Sequence, residues 1–405
     1  MQERDTAVQS LYSSTRVVRR HRRSSLRSLV RTTIGVSALV LSGIGFATIA
    51  AAPADAASSG VAQAKTTVKS LTPPAQPVTI SSKSVNGSLL RGKTVTYVPI
   101  DYEIPYFHTV EAGLSNALSK VGATLDTCDA ASSPSTASQC LQTAANQGSA
   151  AVVVNSIPPA FAPSGFAALA AKKIPVIFLD QATTQKAQNS SQALVFGNSQ
   201  SNPVAWGKYA AATIVADSNG QANVLLIDIG VSPQFHEAVV SATANILKLC
   251  HSCLVTVSTV TTGSEQEAET VVSSAMISHP NINYISTIGG LQPGVASGLQ
   301  DAHATSKVRF IGITESLSAM QLLQSNSGVY SIVGTNPYFE GWASADQVIR
   351  MVAKQTPISS YDIPMRIFTQ SNVGSLTLNQ QAENSPSWYG GGNWEAAFEK
   401  SWGAK

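Results

Sequence analysis

The residues able to do chemistry are few, and they are spread along the chain. Four cysteines stand as two local pairs, Cys128 with Cys140 and Cys250 with Cys253 in Cys250-His251-Ser252-Cys253. A redox Cys-x-x-Cys opens a helix, whose N-terminus lowers the thiol pKa; this one closes a helical run. A tetrahedral zinc needs two ligands more, and only His251 is local. In an oxidising compartment two local disulfides are the plain reading, with metal or redox chemistry the alternative. The chain has no Gly-x-Ser-x-Gly, no His-Glu-x-x-His, no phosphate loop ending in Gly-Lys-Ser/Thr and no Gly-x-Gly-x-x-Gly. Asp126 and Asp129 lie near each other, but spacing alone gives a carboxylate pair no role. No catalytic residue, metal or cofactor is therefore assigned.

What remains is the chemistry of binding. Pro105-Tyr106-Phe107 stands between an apolar run at 93–100 and a helix-period run, read as a short loop. That is the carboxyl end of a first strand, where open parallel sheets bind small ligands. Tyr106 and Phe107 offer ring faces, and Tyr106 adds a hydroxyl. Asp180, followed by Gln181, ends another apolar run; its carboxylate can accept two ligand protons or cap its own turn. Phe235 and His236 begin a helix, and His236 would bring pH sensitivity. Thr314, Glu315, Thr335 and Asn336 stand at strand ends. Tyr338 either joins them or starts a buried helix. Trp388, Tyr389 and Trp394 read as packing the tail against a lobe.

The elements that position these residues alternate regularly. Strand-like runs fall at 94–100, 124–128, 150–156, 175–180 and 193–196, with helical runs at 110–120, 135–147, 161–172 and 203–216. Asp217-Ser218-Asn219-Gly220 interrupts the pattern, which restarts with strands near 223, 254, 284, 308 and 330. Runs such as Val152-Val153-Val154 are apolar on both faces, which predicts a parallel sheet covered by helices. Two such series predict two doubly wound α/β domains.

Hydrophobic residues make up 43% of the 405 and charged residues only 12%. Residues 1–56 carry eight Arg against Glu3, Asp5 and Asp55; the remainder has 18 basic and 20 acidic residues. Without a basic face it attracts no nucleic acid. An Arg-rich start, an uncharged stretch 32–52 and Ala54-Asp55-Ala56 have the layout of a signal peptide over 1–56. The same stretch is long enough to serve as a retained anchor. Residues 57–91, rich in Ser, Thr, Lys and Pro, read as a flexible spacer.

In order and spacing, Pro105-Tyr106-Phe107-His108, the strand ending in Asp180, Ile229-Gly230-Val231-Ser232, Gly334-Thr335-Asn336-Pro337 and the tail 398–403 resemble the type I periplasmic binding proteins, in their sugar-binding, ribose-binding-protein-like branch. The resemblance spans about residues 92–370. It implies two lobes joined by three crossing strands, with lobe 1 at 92–197 plus 336–361 and lobe 2 at 198–335 plus 362–405. It also implies a monomer that captures a small molecule in the interlobe cleft and passes it to an ABC permease outside the cytoplasm. The alternative is a sensor, held by an uncleaved anchor, that reports occupancy to a signalling partner. The Arg residues usual after the fourth-strand Asp and at the start of the second lobe's first helix are replaced by Gln181 and by Phe235-His236. The cleft therefore lacks a guanidinium fork, and the implied ligand is a small neutral molecule other than ribose: a less polar sugar, a modified glycoside, or an apolar or aromatic metabolite.

Overall fold

The computed structural model describes residues 16–17, 54–75, 80, 83–181, 192–195, 202–230, 232–261, 264–288, 290–361, 363–390 and 393–404. The uncharged stretch 32–52 lies outside them. Among the described residues no helix is long and apolar enough to cross a membrane.

Two sheets organise the chain. The first is built from β2 (Thr94–Pro99), β3 (Thr124–Thr127), β4 (Val152–Asn155), β5 (Val176–Leu179) and β6 (Gln192–Val195), in the order β3-β2-β4-β5-β6. All its pairings are parallel. Every residue of β4 and β5 is buried, because helices cover both faces. On one face lies α2 (Pro105–Ser119); on the other lie α3 (Pro134–Gln147) and α4 (Pro163–Ala171).

The second sheet is formed by β7 (Asn223–Ile229), β8 (Leu254–Val260), β9 (Tyr284–Ile288), β10 (Arg309–Ile313), β11 (Ser331–Thr335) and β12 (Met365–Thr369), in the order β8-β7-β9-β10-β11-β12. The two-residue β1 (Arg16–Val17) pairs antiparallel on its β8 edge. Helices α5 (Asn202–Asp217) and α6 (Pro233–Leu249) cover one face, and α7 (Glu265–Ser278), α8 (Gln292–Asp301) and α9 (Leu317–Gln324) the other. The chain leaves the first sheet between β6 and α5, returns after β11 as α10 (Pro337–Val352), and re-enters the second sheet at β12. Because α10 packs against α2 and β5, β12 enters from the end at which β11 left. It must therefore run antiparallel to β11, a departure from the all-parallel expectation.

Three further expectations are corrected. Tyr106 and Phe107 belong to the first turn of α2 rather than a loop, since Pro105 at the helix start gives up only an N–H that would be unpaired anyway. The spacer 57–91 is not extended throughout: α1 (Ala54–Leu71) packs along α5 and α6, burying Ala64 completely. Thr72 O and Ala75 N then bond to Asn372 and Tyr389, and Val85 N bonds to Ser401 O. The tail divides between lobes. Trp388 and Tyr389 join the core of the second sheet, whereas α13 (Trp394–Trp402) packs on the first through Trp394, Phe398 and Trp402. Trp342 on α10 attracts it, with Trp402 stacked at 5.5 Å.

Both cysteine pairs close as disulfides, Cys128–Cys140 and Cys250–Cys253.

Candidate functional site

Where the carboxyl ends of the two sheets meet, side chains from both lobes enclose a cavity. Ile104, Tyr106, Phe107 and Ser156 come from the first lobe, and Trp206, Phe235 and Thr314 from the second. The space among them is ≈ 10 Å³, about enough for one water. Direct contacts hold the lobes this close. Gln234 Nε2 at the start of α6 donates to Ser156 O after β4 at 3.3 Å. Thr109 Oγ1 on α2 donates to Asn384 Oδ1, beside α12 (Gln380–Glu383), at 3.1 Å. Tyr106 stands edge-on to Phe107 at 5.4 Å and to Trp206 at 6.4 Å.

Beside this cavity lies a buried carboxyl network. Tyr106 Oη is 2.7 Å from Asp180 Oδ2 and also hydrogen-bonds Glu340 Oε2. Asn202 Nδ2 donates to Asp180 Oδ1 and Glu340 Oε1, both at 2.8 Å, and Thr335 Oγ1 donates to Glu340 Oε1 at 3.1 Å. A phenol has one proton, so its two carboxyl contacts balance only if one carboxyl is itself protonated. Burial raises Asp180 to about 6, against the opposing hydrogen bonds of Tyr106 and Asn202. Burial, and then the Asp180 charge, push Glu340 well above the carboxylate range. The pair therefore carries a shared proton at neutral pH. Asp180 and Thr314 adopt positive φ, 51° and 60°, a conformation uncommon for residues with a Cβ. Both stand at strand ends that turn sharply toward the cavity.

The residues proposed from sequence separate into groups. Tyr106, Phe107, Phe235 and Thr314 line the cavity. Asp180 and Thr335 sit in the carboxyl network, their polar atoms occupied by the protein itself. Gln181 turns back to donate to Leu179 O at 3.0 Å. His236 is 61% exposed and bonds Asp228 Oδ2 through Nδ1 at 2.7 Å. Glu315 is buried against Gly334 and Tyr389, and burial raises it to about 8. Asn336 caps α10 by accepting from Phe339 N at 3.0 Å. Tyr338 packs in the first-lobe core beside Trp394. None of these last five lines the cavity. Sequence reasoning missed Ile104, Ser156 and Trp206 in the wall, and Asn202 and Glu340 in the network. Trp206 had one visible signal, being a large aromatic in the opening turns of a helix otherwise rich in Ala.

Residues 95–356 match the family described as periplasmic binding protein domain. The chain belongs to that family. No curated protein matches it. Among solved structures, the glucose-galactose binding protein GanP of Geobacillus stearothermophilus is 18% identical with a TM-score of 0.62, over 69% of this chain and 98% of its own. The 5-methylthioribose transporter solute binding protein of Thermotoga lettingae, in complex with 5-methylthioribose, is 14% identical with a TM-score of 0.63, over 78% of this chain and 99% of its own. A carbohydrate transporter protein of Acidothermus cellulolyticus in complex with myo-inositol is 14% identical with a TM-score of 0.60, over 72% of this chain and 99% of its own. At these identities the likeness is one of fold.

Proposed function

We propose that this protein is an exported substrate-binding protein that captures a small neutral ligand, a sugar or sugar-like molecule, between its lobes. It then delivers the ligand unaltered to an ABC permease. One observation carries the reading: a cavity at the carboxyl ends of both sheets, walled by aromatic and hydroxyl side chains from both lobes, with no charged side chain among the described residues that line it. Family membership supports a binding rather than catalytic role and a place outside the cytoplasm. The fold neighbours that hold neutral sugars and a cyclitol support the ligand class.

The cavity, at ≈ 10 Å³, is far below the roughly 300–1,000 Å³ of ligand sites, so the lobes must part to admit a sugar. The Gln234–Ser156 contact is a latch that opening breaks. Calorimetry and small-angle scattering with glucose, galactose, myo-inositol and 5-methylthioribose test the proposal. Saturable binding by at least one, with a change in radius of gyration, is expected. Absence of binding across such sugars, or chemical change in a bound one, overturns it. Gln234→Ala is expected to speed ligand dissociation roughly two- to tenfold, the effect of one neutral hydrogen bond, with little change in folding.

A further inference from the structure

One polar group in the cavity wall is left unsatisfied by the protein. Trp206, on the second turn of α5, is 1% exposed and lines the cavity, and its Nε1 is buried without a partner among the described residues. Buried N–H groups are costly to leave unmade, and an indole nitrogen can only donate. The acceptors of the first-lobe wall and of the carboxyl network are in the opposite condition, and the unpartnered Asp228 Oδ1, Gln292 Oε1 and Glu315 Oε2 belong to residues outside the cavity lining. Both oxygens of Asp180 and both of Glu340 are taken by Tyr106, Asn202 and Thr335. Ser156 Oγ gives its proton to Asn155 Oδ1 at 3.2 Å, and its carbonyl accepts from Gln234. Beyond the Thr314 hydroxyl, the rest of the wall among the described residues is apolar: Ile104, Phe107 and Phe235. This half of the site has a donor to offer and little to receive hydroxyl protons.

We propose that Trp206 is a specificity-determining residue that donates its indole N–H to the alkylated oxygen or sulfur of the ligand. The ligand class is then a neutral sugar bearing an alkyl or alkylthio group, its apolar substituent against Phe107 and Phe235. This rests on the reading of the protein as a receptor. A free polyol is disfavoured because each hydroxyl entering this half brings a proton with few acceptors waiting, and desolvating an unpaired donor costs binding. An alkylated oxygen or sulfur brings only the acceptor that Trp206 lacks.

The test compares 5-methylthioribose and the methyl glycosides of glucose and galactose with the free sugars and myo-inositol, by calorimetry on the wild-type protein and Trp206→Phe. Phenylalanine keeps an aromatic ring and removes the N–H. At least one alkylated probe is expected to bind wild type about tenfold more tightly than its parent sugar. Trp206→Phe is expected to weaken that probe five- to tenfold and leave the parent unchanged. In 15N-labelled protein the Trp206 indole resonance, assigned by its loss in Trp206→Phe, is expected to move downfield on adding the probe. That readout needs no variant to bind. If probes bind wild type and Trp206→Phe equally and the indole resonance stays in place, the inference fails while the receptor reading stands. Preference for free sugars over alkylated ones also overturns it. If no probe binds wild type, both fall together.

Discussion

Raising the pH from 5 to 9 is expected to lower the melting temperature by roughly 5–10 °C, the reverse of the usual behaviour of carboxylate-rich surfaces. The cause is the buried acids at the junction of the lobes. Asp180 is raised from 3.8 to about 6 and Glu315 from 4.5 to about 8, each by burial, and Glu340 is raised by burial and then by the Asp180 charge. A group whose native pKa is raised holds its proton longer in the folded state. Its stabilisation is complete below the unfolded value near 4 and is lost as pH rises through the native value. Between pH 5 and 9, Asp180 gives up about 1 kcal/mol and Glu315 about 4 kcal/mol, because each tenfold difference in proton affinity between the folded and unfolded states is worth about 1.4 kcal/mol. The double variant Asp180→Asn with Glu315→Gln is expected to flatten the profile. Asparagine suits position 180 because it tolerates the positive φ found there. A wild-type melting temperature that holds or rises from pH 5 to 9 contradicts the raised proton affinity of these buried acids.

The cavity and this network share Tyr106, whose ring walls the cavity while its hydroxyl joins both carboxyls. Asn202 and Thr335 stand at the passages where the chain changes lobe, and both donate to Glu340. Deprotonation thus places like charges beside these passages.

The alternation of apolar strands and helical runs was legible because both sheets bury their strands on both faces. The disulfides were legible because each pair is local. The aromatic wall was half legible: Tyr106 and Phe107 follow a strand directly, whereas Trp206 reaches the cavity only through the packing of α5 on the second sheet. Glu340 was not legible. It sits inside a helical run 160 residues from Asp180, and only the packing of α10 on the first lobe brings them together. Asn336 and Tyr338 lie outside the cavity lining for the complementary reason. Residues at a helix start serve its cap and its buried face before they serve a ligand.

Helix α1 was hidden by composition, since Ala, Ser, Thr and Lys in a run resemble a linker. Its small residues are what let it lie close. A Cβ on Gly60 would stand 2.1 Å from Leu249 O, a backbone atom that cannot swing aside. Gly60→Val is therefore expected to lift α1 from α5 and α6, exposing Ala64 with the flanking Val61, Val68 and Leu71. At about 25 cal/mol per Å² of apolar surface, losing this contact costs on the order of 3–5 kcal/mol. The chain then fastens to the second lobe through Thr72 and Ala75, and to the first where Arg350 Nη2 reaches Lys83 O at 3.1 Å and Val85 N reaches Ser401 O at 2.8 Å. It thus forms a further attachment between the lobes, besides the three passages and the tail that joins Tyr389 to α13. A protein beginning at Lys83 is expected to melt well below the longer form and to expose the α5 and α6 amides to hydrogen exchange. Equal melting and equal exchange in the two forms would make α1 a passenger.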